Sequence, residues 1–239
     1  MNESATDTKY RLRDFSQHGF TGPLTLIGEP EMNRLVAELG PLIETERKPE
    51  TYYSAVTPDV GNDEPVEAFY DAHHRDPLVR QLADRPEMAD WASAVLDGPV
   101  RIWRTTFWIK TPGARRIEWH QDTYKDEKLG SFPNANVWIA LDEATTQNCM
   151  CFVPGTHREI IALERFEEAG YIARLKRGEA LPAPPVDGDV VKMPLRPGQC
   201  VLFDGRVLHG SAPNLSANRR IGLVVRFIPQ DLELRHKLY

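Results

Sequence analysis

The sequence contains no run of about 18 consecutive apolar residues, so no transmembrane helix is expected. The stretch from Met1 to Arg13 is polar and charged and lacks the apolar centre of a secretory signal, which makes the cytoplasm the expected location. Positive charge is not in excess either: 29 Lys and Arg stand against 35 Asp and Glu, a net charge of −6. Without a basic surplus, neither nucleic acid nor an anionic membrane is the expected partner, and a small molecule is. The 3 cysteines are an odd number, and Cys149 and Cys151 sit two positions apart, too close along an extended chain for an unstrained bridge. No disulfide framework is expected, which fits a reducing compartment. Cys200, within Gly-Gln-Cys-Val-Leu-Phe, reads as a buried strand thiol. Internal repeats and low-complexity tracts are also missing, which excludes solenoids and long linkers.

What is present is a globular balance, 41% hydrophobic and 27% charged over 239 residues, enough for one sizeable core. After a polar leader, Asp14 to Ile27 is a short mixed stretch. Pro30 then opens a helical pattern carried by Leu35, Val36, Leu39, Leu42 and Ile43. Thr45 to Ala68, with Pro49, Pro58, Gly61 and Pro65, reads as loop with one short strand near Tyr52–Val56. A second helical region starts with Asp76 as N-cap and Pro77 in the first turn, breaks at Pro86 and ends at Gly98. From Val100 the texture changes to short β-branched and aromatic runs: Val100–Lys110, Ile117–Asp122, Asn136–Leu141, Cys149–Val153, Gln199–Phe203 and Ile221–Ile228. One helical candidate, Ala162–Arg177, interrupts them, followed by a Pro-rich stretch that cannot be a central strand. The expected fold is mainly β with flanking helices, a jelly roll or barrel. The expected organisation is one domain over residues 1–239, with a mainly helical flank at 1–98 and a β core at 99–229 that carries an insertion at 156–197.

The sharpest chemical signal is Trp119-His120-Gln121-Asp122, because residues i and i+2 of an extended chain share a face, so an imidazole and a carboxylate can meet one metal. A chain of this composition holds roughly half such a pair by chance. A second pair does occur, at His74-Arg75-Asp76, but Asp76 precedes Pro77 at a helix start, where its carboxylate caps backbone amides. A third ligand is offered by His209 in Val-Leu-His-Gly-Ser, at the end of an apolar run. Two imidazoles and one carboxylate suit Fe(II) with open positions, and zinc uses similar ligands. His18, His73 and His236 read as surface or terminal residues, and His157 follows a turn. Arg219 and Arg220 head the last strand, where a cation is either a solvated flank or the partner of an anion; strand parity does not choose between them. Arg115 and Arg116 read as a solvated turn.

Taken in order, these residues resemble the phytanoyl-CoA dioxygenase-like (PhyH) branch of the Fe(II)/2-oxoglutarate-dependent oxygenases. The matching series runs through Trp119–Asp122, Val137–Asp142, Asn148 to Val153-Pro154-Gly155-Thr156-His157-Arg158, Pro197-Gly198 to Phe203-Asp204, and His209-Gly210-Ser211 with Asn214 and Arg220. The resemblance implies a double-stranded β-helix, cupin-like in form. It implies that His120, Asp122 and His209 hold Fe(II), and that Arg220, eleven residues past His209, binds the far carboxylate of 2-oxoglutarate with help from Ser211; Arg219 is the runner-up. It places Trp138 in a block near the cosubstrate. It further implies consumption of O₂ and 2-oxoglutarate, release of succinate and CO₂, and hydroxylation of a small organic molecule, with desaturation, ring formation or epoxidation as variants. Halogenating members carry a small residue where Asp122 stands, so halogenation is disfavoured. Cys149 departs from the glycine usual after Asn148 and puts the local turn in question. From a different class, a metal-binding barrel serving as scaffold or sensor remains the alternative. Substrate choice is expected in the loops Thr45–Asp71, Thr123–Asn134 and Arg158–Met193, with Arg104, Trp108, Tyr124 and Lys125 as unassigned neighbours.

Overall fold

The computed structural model describes residues 13–50, 64–122, 132–176 and 183–233. The β-rich runs form strands β1 (Phe20–Thr25), β2 (Lys48–Pro49), β3 (Glu67–Tyr70), β4 (Val100–Lys110), β5 (Ile117–His120), β6 (Ala135–Ala140), β7 (Met150–Val153), β8 (Val191–Met193), β9 (Gln199–Asp204), β10 (Leu208–Ser211) and β11 (Arg220–Pro229). Helices α1 (Glu29–Glu46), α2 (Pro77–Ala83), α3 (Pro86–Leu96), α4 (Leu163–Glu168) and α5 (Tyr171–Lys176) accompany them, and residues 13–18 are also helical. The strands make two antiparallel sheets, a major one ordered β1-β9-β6-β11-β4-β3-β2 and a minor one ordered β5-β10-β7-β8. This is the double-stranded β-helix architecture, mainly β with flanking helices.

Period-two alternation sorts the side chains into layers. Ile221, Leu223, Val225 and Phe227 of β11, with Phe107 and Ile109 of β4, share a core with Met32, Leu39 and Ile43 of α1 and with Val79 and Met88 of the following helices. The opposite face of the major sheet presents Trp108 of β4, Trp138 of β6 and Val224 of β11 to Met150 and Phe152 of the minor sheet. The outer face of the minor sheet, with Trp119, Val153 and Leu208, is covered by Ile161 and Tyr171. The inter-sheet layer also buries Asp122, His209, Ser211, Arg220 and Arg226, and it holds the site.

Several expectations are refined. The N-terminal flank is helical but also supplies β1, β2 and β3, three strands of the major sheet, so it is built into the core rather than laid over it. The strand expected near Tyr52–Val56 lies outside the described residues. Asp76 caps α2 as its sequence context predicts, accepting from the Leu78 and Val79 amides at 3.0 Å each. The helix expected over Ala162–Arg177 is two short helices, because Gly170 adopts φ +64° between them. The insertion is not wholly outside the sheets: Val191–Met193 pairs with β7 as the edge strand of the minor sheet. The turn before β7 closes with Cys149 in place, its amide donating to Thr145 O at 2.8 Å while Asn148 Oδ1 accepts from the Thr145 amide at 2.9 Å.

Candidate active site

β5 and β10 are antiparallel neighbours with His120 directly opposite His209. Alternation aims both imidazoles inward, and their ring centroids lie 4.1 Å apart. Two residues beyond His120, Asp122 turns the same way, and the Asp122 amide donates to Gly205 O. One ligand atom from each of His120, Asp122 and His209 lies within 4.8 Å of the others. Gln121 points away and fastens the strand end: its Nε2 donates to the Glu159 carbonyl at 2.9 Å, and its Oε1 accepts from the Ile161 amide at 2.9 Å.

The backbone fixes which ring nitrogen faces the site. His120 Nδ1 lies 2.7 Å from Glu118 O and His209 Nδ1 lies 2.9 Å from Val207 O. A carbonyl only accepts, so each Nδ1 carries the hydrogen and each Nε2 offers a lone pair inward. Burial pushes both imidazole pKa values down, His209 to about 3, which keeps them neutral as metal ligands must be. Burial raises the Asp122 pKa, but the neighbouring Arg226 guanidinium outweighs it and holds the carboxyl below its ordinary value. The two carboxylate oxygens are distinguished. Oδ2 faces Arg226 Nη2 at 3.6 Å and accepts from Asn136 Nδ2 at 3.4 Å, while Oδ1 lies 3.6 Å from His120 Nε2. Two neutral nitrogens and one ionised oxygen, converging from one side, fit a divalent metal of the iron or zinc type.

Across the cavity, Arg220 is 1% exposed and stacks over Trp138 with its guanidinium carbon 5.1 Å from the ring centroid. Its Nη1 donates to Asn148 O at 3.1 Å, its Nε has no partner, and no carboxylate neutralises it among the described residues. A buried guanidinium in that state fits an anion that comes with the ligand. Ser211 lines the same end, and Trp108, Met150, Phe203 and Val224 supply apolar wall. Arg219 turns the other way and pairs with Asp142 at 3.0 Å on the surface. The set Arg220, Val224 and Arg226 therefore faces the cavity, the choice that parity alone left open.

Other expectations change. His73 is buried rather than superficial, with Nδ1 2.9 Å from Thr105 Oγ1, and His157 is also buried. Arg116 is buried and lies 3.6 Å from Glu118, not in a solvated turn, because Tyr171 and the insertion cover this corner. Arg104 pairs with Asp71, and Trp108 lines the cavity. Tyr124, Lys125 and His236 lie outside the described residues. Sequence reasoning did not single out Lys110, Asn136 or Arg226; their shared signal is an even position on a strand whose even face meets the cavity.

Among curated proteins, the chain is 30% identical over 163 residues to one named probable alpha-ketoglutarate-dependent hypophosphite dioxygenase from Stutzerimonas stutzeri, covering 64% of this chain and 54% of that protein. It is 27% identical over 150 residues to a methylphosphonate hydroxylase from Gimesia maris, covering 62% and 53% respectively. The chain thus spans about half the length of these curated relatives. Among solved structures, the non-heme alpha ketoglutarate dependent epimerase SnoN from nogalamycin biosynthesis superposes with a TM-score of 0.74 at 18% identity, over 95% of this chain and 84% of that one, a likeness of fold. Residues 15–222 match the phytanoyl-CoA dioxygenase (PhyH) family across the strands that carry the three-ligand cluster, and the chain belongs to that family.

Proposed function

We propose that the protein is an Fe(II)- and 2-oxoglutarate-dependent dioxygenase that hydroxylates an unactivated C–H bond of a small organic molecule, with release of succinate and CO₂. The observation that carries this reading is a neutral-imidazole and carboxylate cluster facing, across one cavity, a buried guanidinium with no carboxylate of its own. His120, Asp122 and His209 would hold the iron. Arg220 and Ser211 would hold the far carboxylate of 2-oxoglutarate, orienting its keto acid end toward the three ligands. The metal and cosubstrate would supply the oxidising chemistry with O₂. The protein's share is to keep both Nε2 atoms deprotonated, to fix the Asp122 carboxylate through Asn136 and Arg226, and to exclude water with Trp108, Trp138, Met150 and Phe203.

Residues 1–239 are proposed to act as one catalytic domain, a reading supported by the hydrogen bonding of β1 to β9 and of β3 to β4. No helix among the described residues is long and apolar enough to cross a membrane. The free cysteines Cys149, Cys151 and Cys200 support a reducing, cytoplasmic setting.

Anaerobic addition of Fe(II) and 2-oxoglutarate is expected to produce a visible charge-transfer band that His120→Ala abolishes. Succinate release should then rise with the right substrate from a panel of amino acids, acyl thioesters, terpenoids, polyketides, hypophosphite and methylphosphonate; the relatives' names put the last two on it. Tight metal binding without that band, and without succinate from any candidate, would instead favour a metal-binding scaffold.

A further inference from the structure

Directly opposite Arg220 on the neighbouring strand β4 stands Lys110. Both side chains are buried, at 1% and 0% exposure, and neither forms an ion pair among the described residues. Like charges facing each other across strands destabilise a sheet, and burial multiplies the effect. Burial and the Arg220 charge accordingly push the Lys110 pKa well below that of an ordinary lysine. The pair is unfavourable until an anion joins it.

The contacts of Lys110 indicate how it serves that anion. Its Nζ donates to Ser211 Oγ at 2.7 Å and to Ala212 O at 2.6 Å, with Ser211 O at 3.4 Å. Once an anion stands beside Arg220 the amine is held as an ammonium, which has three donors and no acceptor, so the Ser211 hydroxyl then accepts from Lys110 and must aim its own hydrogen elsewhere. Ser211 and Arg220 line the cavity, and Lys110 is not among the lining residues. Asn214 locks the arrangement, its Nδ2 donating to Lys110 O at 3.0 Å while its Oδ1 accepts from Asn148, whose carbonyl receives Arg220.

We infer that Lys110 is a positioning residue for the anionic end of the cosubstrate: it turns the Ser211 hydroxyl into a donor aimed at the cavity and places a second positive charge behind Arg220, without touching the ligand. This rests on the assignment of Arg220 and Ser211 to the far carboxylate of 2-oxoglutarate. It adds that the carboxylate is met by a donor-only wall whose polarity is set from the neighbouring strand.

The test is isothermal titration of the Mn(II)-loaded full chain with 2-oxoglutarate and, separately, with oxalate, which chelates the metal but has no far carboxylate. Lys110→Met and Lys110→Gln should weaken 2-oxoglutarate binding by at least about tenfold and leave oxalate binding unchanged. In a Ser211→Ala background the same Lys110 substitutions should cost markedly less, because the hydroxyl they act through is gone. Unchanged 2-oxoglutarate affinity, an equal loss for oxalate, or effects that simply add with Ser211→Ala would overturn the inference. Arg220→Gln separates the two levels. If it weakens 2-oxoglutarate binding while the Lys110 variants do not, only the role of Lys110 falls. If neither Arg220→Gln nor Ser211→Ala matters, the placement of the cosubstrate falls and takes Lys110 with it.

Discussion

Gly222 shows how one residue can set the cavity. It lies on the cavity face of β11, two positions from Arg220, and a Cβ built there would enter the Trp138 indole. The missing side chain is therefore what lets the indole lie against the strand and under the Arg220 guanidinium. Gly222→Ala should displace the ring and cost about 1–3 kcal/mol of stability by overpacking. It should also weaken 2-oxoglutarate binding by about threefold to tenfold through the lost cation–π contact, as read from urea unfolding and calorimetric titration. Arg219→Ala is the control one residue before Arg220. Its partners Asp142 and Glu44 are at the surface, so stability should change by less than about 0.5 kcal/mol and the cosubstrate affinity not at all. An Arg219→Ala variant that lost 2-oxoglutarate binding would reverse the assignment of the two arginines.

At the scale of elements, the two His-x-Asp pairs part company because one is in a strand and the other at a helix start. His120 and Asp122 share a face of an extended segment, whereas Asp76 spends its carboxylate on the amides of α2. Asp76→Ala should cost about 1 kcal/mol of stability, as an N-cap does, and leave metal affinity untouched; altered metal binding in that variant would mean the pair has a second role. The helix start, the β runs and the cluster of His120, Asp122 and His209 were legible because each depends on a few neighbouring residues. Lys110, Asn136 and Arg226 were not, since strand parity yields two equivalent faces and only sheet packing says which one meets the cavity. The edge strand β8 was hidden for a related reason: three residues after a Pro-rich stretch carry no period of their own, and pairing with β7 alone makes them a strand. Burial of Arg116 beside Glu118 likewise depends on Tyr171, more than fifty positions away, whose hydroxyl also accepts from the Trp119 amide at the bulge in β5.

At the scale of the whole molecule, the helical flank is joined to the β core partly by a titratable contact. His73 lies in the turn before α2 and meets Thr105 of β4, the strand that also carries Lys110. Burial, with some help from His74 and Arg80, pushes the His73 pKa down to about 4, while Asp71 and Asp84 oppose the shift. In the unfolded chain the imidazole returns to an ordinary value near 6.5. Between these values the unfolded state binds the extra proton, so the contribution of neutral His73 is fully present above about pH 6.5 and is lost progressively as the pH falls toward 4. From pH 7.5 to pH 5 the expected loss is about 2 kcal/mol. His73→Gln keeps a group able to bond Thr105 but cannot titrate, so urea unfolding of that variant should show a stability–pH profile flatter than the wild type by about that amount in this interval. Parallel profiles for the two proteins would mean that folding leaves the titration of His73 unchanged, and any stability lost toward pH 5 would then have to come from other groups.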